Sequence, residues 1–161
     1  MQITLKGKAT QVSREQVRAF LHAAVAVLSY HNRPPLWPLV VRIKKQVIWK
    51  GRKWNGLHCE GRIELKADLS PEDMLTVCIH EVIHACIRFP KGTVEKNTST
   101  LTARIKSDVA RLAEILLENT YQRAAFLAHT KLAYRAKGGD HYDNDQYDSV
   151  GVSTKYHRKG E

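Results

Sequence analysis

The stretch SPEDMLTVCIHEVIH, residues 70–84, decides how the rest of the sequence is interpreted. Ser70 is suited to cap a helix, and Pro71 fits the first helical position, where no backbone N–H is needed. Two carboxylates follow, and they favour the positive end of the helix dipole. Apolar residues then recur at helical spacing as far as Phe89. The pattern predicts a helix that begins after Ser70 and ends near Phe89.

This predicted helix contains His80, Glu81 and His84 in the order His-Glu-x-x-His. Residues four apart lie on the same helix face, so the two imidazoles can bind one metal ion. Glu81 would then stand beside a water molecule on that ion. The spacing predicts a Zn²⁺ site with Glu81 as its catalytic base. The alternative is two partly buried histidines that are hydrogen-bonded to backbone carbonyls.

Catalytic zinc normally has three protein ligands, so the two histidines require a third. Asp108 is the favoured candidate because it falls within the apolar stripe of a later predicted helix. A carboxylate there is costly unless it is paired or binds a metal. A buried salt bridge, for instance with Arg104, is the other interpretation of Asp108. The remaining candidates are Glu114 and Glu118 on the polar face of the same helix, and Glu95, His129, Asp140 and His141 elsewhere.

The flanking sequence predicts an α+β fold. The expected elements are a strand at 2–8, a helix at 13–30 capped by Ser13 with Gln16, strands at 39–49 and 57–69 with a turn at 50–56 between them, and, after a polar loop, a long helix at about 100–131. We expect one domain over residues 1–137. The polar C-terminal extension, 138–161, is expected to be solvated, the alternative being that it folds back and restrains the metal site.

The chain is strongly basic, with 26 Lys and Arg against 16 Asp and Glu, a formal charge of +10. Such a charge attracts polyanions if it is concentrated on one face. A basic cluster at 42–53 has Trp49 within it and Trp54 next to it, and aromatic rings among cations can stack on bases. Two exposed strand faces joined by a solvated turn are the alternative. The candidate nucleic-acid contacts are Lys44, Lys45, Lys50, Arg52 and Lys53.

Apolar runs in this sequence are short, which argues against a bilayer span, and residues 1–10 lack the zones of a signal peptide. The three cysteines are an odd number without a pairing pattern. Cys78 and Cys86 fall in an apolar stretch, where free thiols act as small hydrophobes. We therefore expect a cytoplasmic protein.

A His-Glu-x-x-His helix preceded by strands and followed by a helix with an acid resembles the core of the zincin metallopeptidases. It is closest to the gluzincin branch and its small members, the minigluzincins, and is similar to small metallopeptidase-like proteins of bacteriophages. The resemblance covers about residues 39–120. It implies a minimal zincin-like domain with a small, mostly antiparallel sheet, and zinc bound by His80 and His84. The implied third ligand is a Glu on the following helix, where this chain presents Asp108.

The resemblance also implies a reaction. Zinc lowers the pKa of its water to about 7, and Glu81 takes the proton and passes it to the leaving amine. A peptide or protein substrate would lie along the edge strand of the sheet, within residues 61–69. We therefore expect a zinc-dependent metallopeptidase, in the host cytoplasm if phage-encoded. The alternatives are a SprT-like protease acting at DNA, or a basic nucleic-acid-binding module with a structural or vestigial metal site.

Overall fold

The computed structural model describes residues 3–31, 33–35, 38–59 and 61–136, the last part (126–136) as backbone alone. The chain forms two compact units, Met1–Gln122 and Arg123–Glu161. Their boundary lies inside the third helix. The domain end predicted at residue 137 lies outside the described residues. The predicted extension, 138–161, lies outside the described residues. The elements are β1 (Ile3–Lys6), α1 (Arg14–Tyr30), β2 (Leu39–Lys44), β3 (Val47–Trp49), β4 (Arg52–Trp54), β5 (Gly56–Cys59), β6 (Arg62–Lys66), α2 (Pro71–Cys86) and α3 (Val94–Ala136).

The main sheet has four strands in the order β1-β2-β6-β5. β2 is parallel to both of its neighbours, β1 and β6, while β5 is antiparallel to β6. The expectation of a mostly antiparallel sheet is therefore wrong for this sheet. The reason is that α1 connects β1 to β2 as a crossover helix, which a parallel pair requires. The broader α+β class is confirmed, since the described residues form helices and small mixed sheets.

β5 forms the edge of this sheet beside α2. The sequence pattern predicts one strand at 57–69, and the resemblance implies a substrate edge within 61–69. The structure divides that stretch into β5 and β6, and β6 lies inside the sheet between β2 and β5. The edge next to α2 is consequently 56–59, and alternation of side chains alone could not show the chain reversal between the two strands.

β3 and β4 form a separate two-stranded hairpin with Val47 opposite Trp54 and Trp49 opposite Arg52. Its turn has positive φ angles at both central residues, 49° at Lys50 and 74° at Gly51. This is the type I′ geometry, whose twist suits a tight hairpin. The predicted turn at 50–56 is thus much shorter than expected, and the strand predicted at 39–49 is divided into β2 and β3.

One face of the main sheet is buried against helices. Leu39, Val41, Ile63 and Leu65 have almost no solvent exposure and lie in the hydrophobic core. The core also includes residues of all three helices, and its α3 members are Ile105, Val109 and Ala113. Cys78 and Cys86 are buried as free thiols, as predicted, and Cys59 is exposed. Among the described residues, no helix combines the length and the apolar character needed to cross a bilayer.

The caps predicted for the first two helices are confirmed. Ser13 and Gln16 form a reciprocal capping box at α1. At α2, the Ser70 hydroxyl accepts a hydrogen bond from the Asp73 backbone N–H at 3.1 Å, and Pro71 occupies the first turn. The start of α2 is therefore fixed locally, and its buried residues anchor the rest of the helix in the core.

Replacing Ser70 with Ala should lower the free energy of unfolding by about 1 kcal/mol, since a backbone N–H at the start of α2 loses its acceptor. Urea denaturation followed by circular dichroism measures the change. Thr76→Ala is the matched control, because the Thr76 hydroxyl only donates to the Glu72 carbonyl within the helix. Equal losses in both variants would contradict a capping role.

Candidate metal centre

The side chains of His80, His84 and Glu95 lie close together beside α2. His84 Nε2 lies 3.2 Å from His80 Nε2, and His80 Nε2 lies 3.3 Å from Glu95 Oε2. His84 Nε2 is 3.6 Å from Glu95 Oε1. One ligand atom from each residue falls within 4.8 Å of the others, so the group could hold a metal ion. The structure thus brings together both histidines of the predicted motif.

The two faces of α2 explain how the imidazoles are held. Ile79, Val82 and Ile83 are completely buried in the core. His80 and His84 project from the other side, with 23% and 16% of their side chains exposed, and their rings meet edge to face at 4.8 Å between centroids. Rigid packing of one face therefore presents both rings to the same space.

Glu95 belongs to the first turn of α3 and was a minor candidate in the sequence analysis, which placed it in a loop. The helix begins at Val94, well before the expected start near residue 100. The buried positions Thr98, Thr102, Ile105 and Val109 recur at three- and four-residue intervals, and residue 95 continues that row backwards. The periodic pattern that extends α3 back to residue 95 was therefore present in the sequence, but polar residues in the first turns of the helix obscured it.

Asp108, the favoured third ligand, is not part of this group. Its side chain is exposed and lines a separate cavity of about 640 Å³ with His31 and Arg104. The reason is that the buried row of α3 runs through Ile105 and Val109, and Asp108 lies to one side of it. Of the other candidates, Glu114 and Glu118 are exposed on α3. The side chain of His129, and Asp140 and His141 entirely, lie outside the described part of the chain.

Glu81 lies next to the two histidines but is itself 6% exposed. Burial, and then the charge of Glu95, raises the pKa of Glu81 to about 8. The Glu81 carboxylate has space beside β5 because residue 56 is a glycine. A Cβ atom at position 56 would lie 2.6 Å from Glu81 Oε1 and 2.5 Å from Val77 Cγ1. Glycine is therefore required there for the carboxylate to keep its place.

The donor chemistry fits a divalent ion such as zinc. Burial, and then the neighbouring charge of His80, lowers the pKa of His84. A neutral imidazole is the form that binds metal. Two imidazoles and one carboxylate are a known ligand set of catalytic zinc, which leaves a further position open.

No protein-family model, curated protein or solved structure matches this chain.

The three candidate ligands and Glu81 line a cavity of about 710 Å³. One side is the edge strand β5, from Gly56 to Cys59, and Trp49 and Trp54 of the β3–β4 hairpin contribute to its lining. The volume is sufficient for several residues of an extended peptide. The open side of the ligand group therefore faces a space that a large substrate can enter.

The five candidate nucleic-acid contacts differ in their surroundings. Lys44 Nζ lies 2.7 Å from Glu64 Oε1, so this cation already has an acidic partner within the protein. The other four, Lys45, Lys50, Arg52 and Lys53, are exposed on or beside the hairpin.

Glu95→Ala should lower the affinity for zinc by at least about 100-fold, because loss of an outer-shell partner already costs 10–100-fold. Competition with a chromogenic chelator measures the dissociation constant. Asp108→Ala is the matched control on the same helix and should leave the affinity unchanged. A larger loss of zinc affinity in Asp108→Ala than in Glu95→Ala would identify Asp108 as the ligand instead.

Zinc binding at pH 7 should release a proton from Glu81. With a pKa of about 8, the carboxyl is mostly protonated in the metal-free protein. A nearby cation favours the ionised form and so lowers that pKa. Calorimetry in buffers of different ionisation enthalpy counts the protons. Glu81→Gln should release about one proton fewer than the native chain, and equal release would contradict this account.

Proposed function

We propose that this protein is a zinc-dependent metallopeptidase that hydrolyses peptide bonds. The observation that carries the proposal is the convergence of His80, His84 and Glu95, within 4.8 Å of one another, in a cavity that Glu81 also lines. Metal ligands alone would be compatible with a structural site. A buried carboxylate beside an open ligand group is the arrangement that metal-assisted hydrolysis requires.

The residues divide into two roles. His80, His84 and Glu95 would hold the ion, which when bound would polarise a water molecule and the carbonyl of the scissile bond. Glu81 would accept a proton from the attacking water and deliver it to the leaving amine. Its burial keeps competing water away, and Gly56 leaves its carboxylate free to approach the reacting atoms.

The third ligand favours this proposal over its rivals. The gluzincin resemblance implies a Glu on the helix after the His-Glu-x-x-His motif, and Glu95 meets that description on α3. SprT-like proteases instead use a histidine. A metal site that only stabilises the fold would be closed by four protein ligands, and the described residues contribute three. The free thiols of the described residues suit a reducing cytoplasm, where we place the enzyme.

Glu81→Gln should keep stoichiometric zinc and lose peptidase activity by about 10²–10⁴-fold, the usual contribution of a general base. The test uses purified protein of measured zinc content and a mixture of unlabelled peptides, with cleavage followed by mass spectrometry. Chelation should abolish cleavage by the native chain, and added zinc should restore it.

Asp108→Ala again serves as the control and should cleave at the native rate. Cleavage that persists in Glu81→Gln would remove Glu81 from the mechanism. A native protein that binds zinc but cleaves no peptide in the mixture would contradict the proposed function.

A further inference from the structure

The β3–β4 hairpin, residues 47–54, forms part of the lining of the cavity that contains the metal ligands. Trp49 and Trp54 belong to that lining, and they are 47% and 41% exposed. Tryptophan is highly buried on average, so two exposed rings at one cavity are informative.

Strand register places both tryptophans on the same face of the hairpin. Val47 is paired with Trp54, and Trp49 with Arg52. Paired residues and alternate residues share a face, so these four side chains lie together, while Ile48 and Lys53 lie on the reverse. Val47 is buried and fixes this face against the protein. The two indoles, diagonal neighbours across the hairpin, therefore face the cavity.

Two cationic side chains lie next to the Trp49 indole. Lys50 Nζ lies 4.4 Å from the centroid of the Trp49 ring, and Arg52 stands directly opposite Trp49. Both cations are exposed at the tip of the hairpin. The acidic residues of the cavity, Glu81 and Glu95, are grouped instead at the metal ligands. The hairpin therefore presents aromatic rings to the cavity, and its two cations lie beside Trp49, next to the lining and not within it. The carboxylates of the cavity lie where a cation would bind.

We propose that this hairpin selects the substrate of the peptidase, favouring polypeptide segments in which a large apolar side chain has acidic neighbours. This inference rests on the proposed function. The indoles of Trp49 and Trp54 would cover the apolar side chain, and Lys50 and Arg52 would pair with its flanking carboxylates. A polypeptide is favoured over single-stranded nucleic acid because the indoles share their cavity with the metal ligands, where a polypeptide substrate must lie.

Cleavage profiling of an unbiased peptide mixture tests the preference. The zinc-loaded native chain should cleave mainly at sites where Asp or Glu lies near Phe, Tyr, Trp, Leu or Met. Lys50→Glu/Arg52→Glu should lose the acidic preference, and on a fluorogenic acidic peptide its kcat/KM should fall at least about tenfold, mainly through KM. Trp49→Ala should weaken the apolar preference in the same profile.

Lys6→Glu/Lys8→Glu is the matched control. It makes the same change in net charge at and beyond β1, the opposite edge of the sheet, and both side chains are exposed. This variant should keep the native profile and kcat/KM. Circular dichroism of both double variants checks that each remains folded.

A second measurement separates binding from turnover. Zinc-loaded Glu81→Gln should bind a fluorescein-labelled acidic, aromatic peptide, and the hairpin double substitution should abolish that binding. Cleavage by the native chain without an acidic preference would overturn the inference and leave the proposed function intact. Absence of all cleavage would overturn both. Hairpin-dependent binding of a labelled oligothymidylate, with an unchanged cleavage profile, would identify a nucleic-acid surface instead.

Discussion

The candidate metal site depends on one constraint, that two imidazoles from one helix lie close to a carboxylate from another. His80 and His84 can share an ion only because one turn of α2 places them on one side. Glu95 reaches them because α3 starts a few residues after α2 ends. The two imidazoles must also be held in position on their helix. Burial of the opposite face of α2 in the core provides that support.

Local signals predicted α2 well. Ser70, Pro71 and the two following carboxylates act within one turn, and their effect does not depend on the remainder of the chain. Local signals could not predict the order and direction of the strands. A β-strand sequence reports which face is buried, but not which strand lies beside it. β6 consequently looked like part of an edge strand, although it lies between β2 and β5.

The candidates for a third ligand, Asp108 and Glu95, show that local signals are also insufficient within a helix. Asp108 looked buried because Ile105 and Leu112 lie near it in the periodic pattern, whereas the face that packs is centred on Val109. Glu95 was considered a loop residue because the residues after it are polar or β-branched and form helices poorly by themselves. Tertiary packing of Thr98 and Thr102 overrides that weak propensity. Extending the buried row in both directions places residue 95 on the packed side of α3 and Asp108 outside it.

The contact between β5 and α2 has an evolutionary consequence. At Gly56 the strand comes so close to Glu81 and Val77 that not even a methyl group fits. A descendant of this chain could exchange many surface residues, or lengthen its loops, and keep the candidate site. It could not gain a side chain at position 56 without displacing the Glu81 carboxylate and the Val77 side chain. Natural variants that keep the histidine pair and Glu81 should therefore share this glycine, whatever substrates they have come to use.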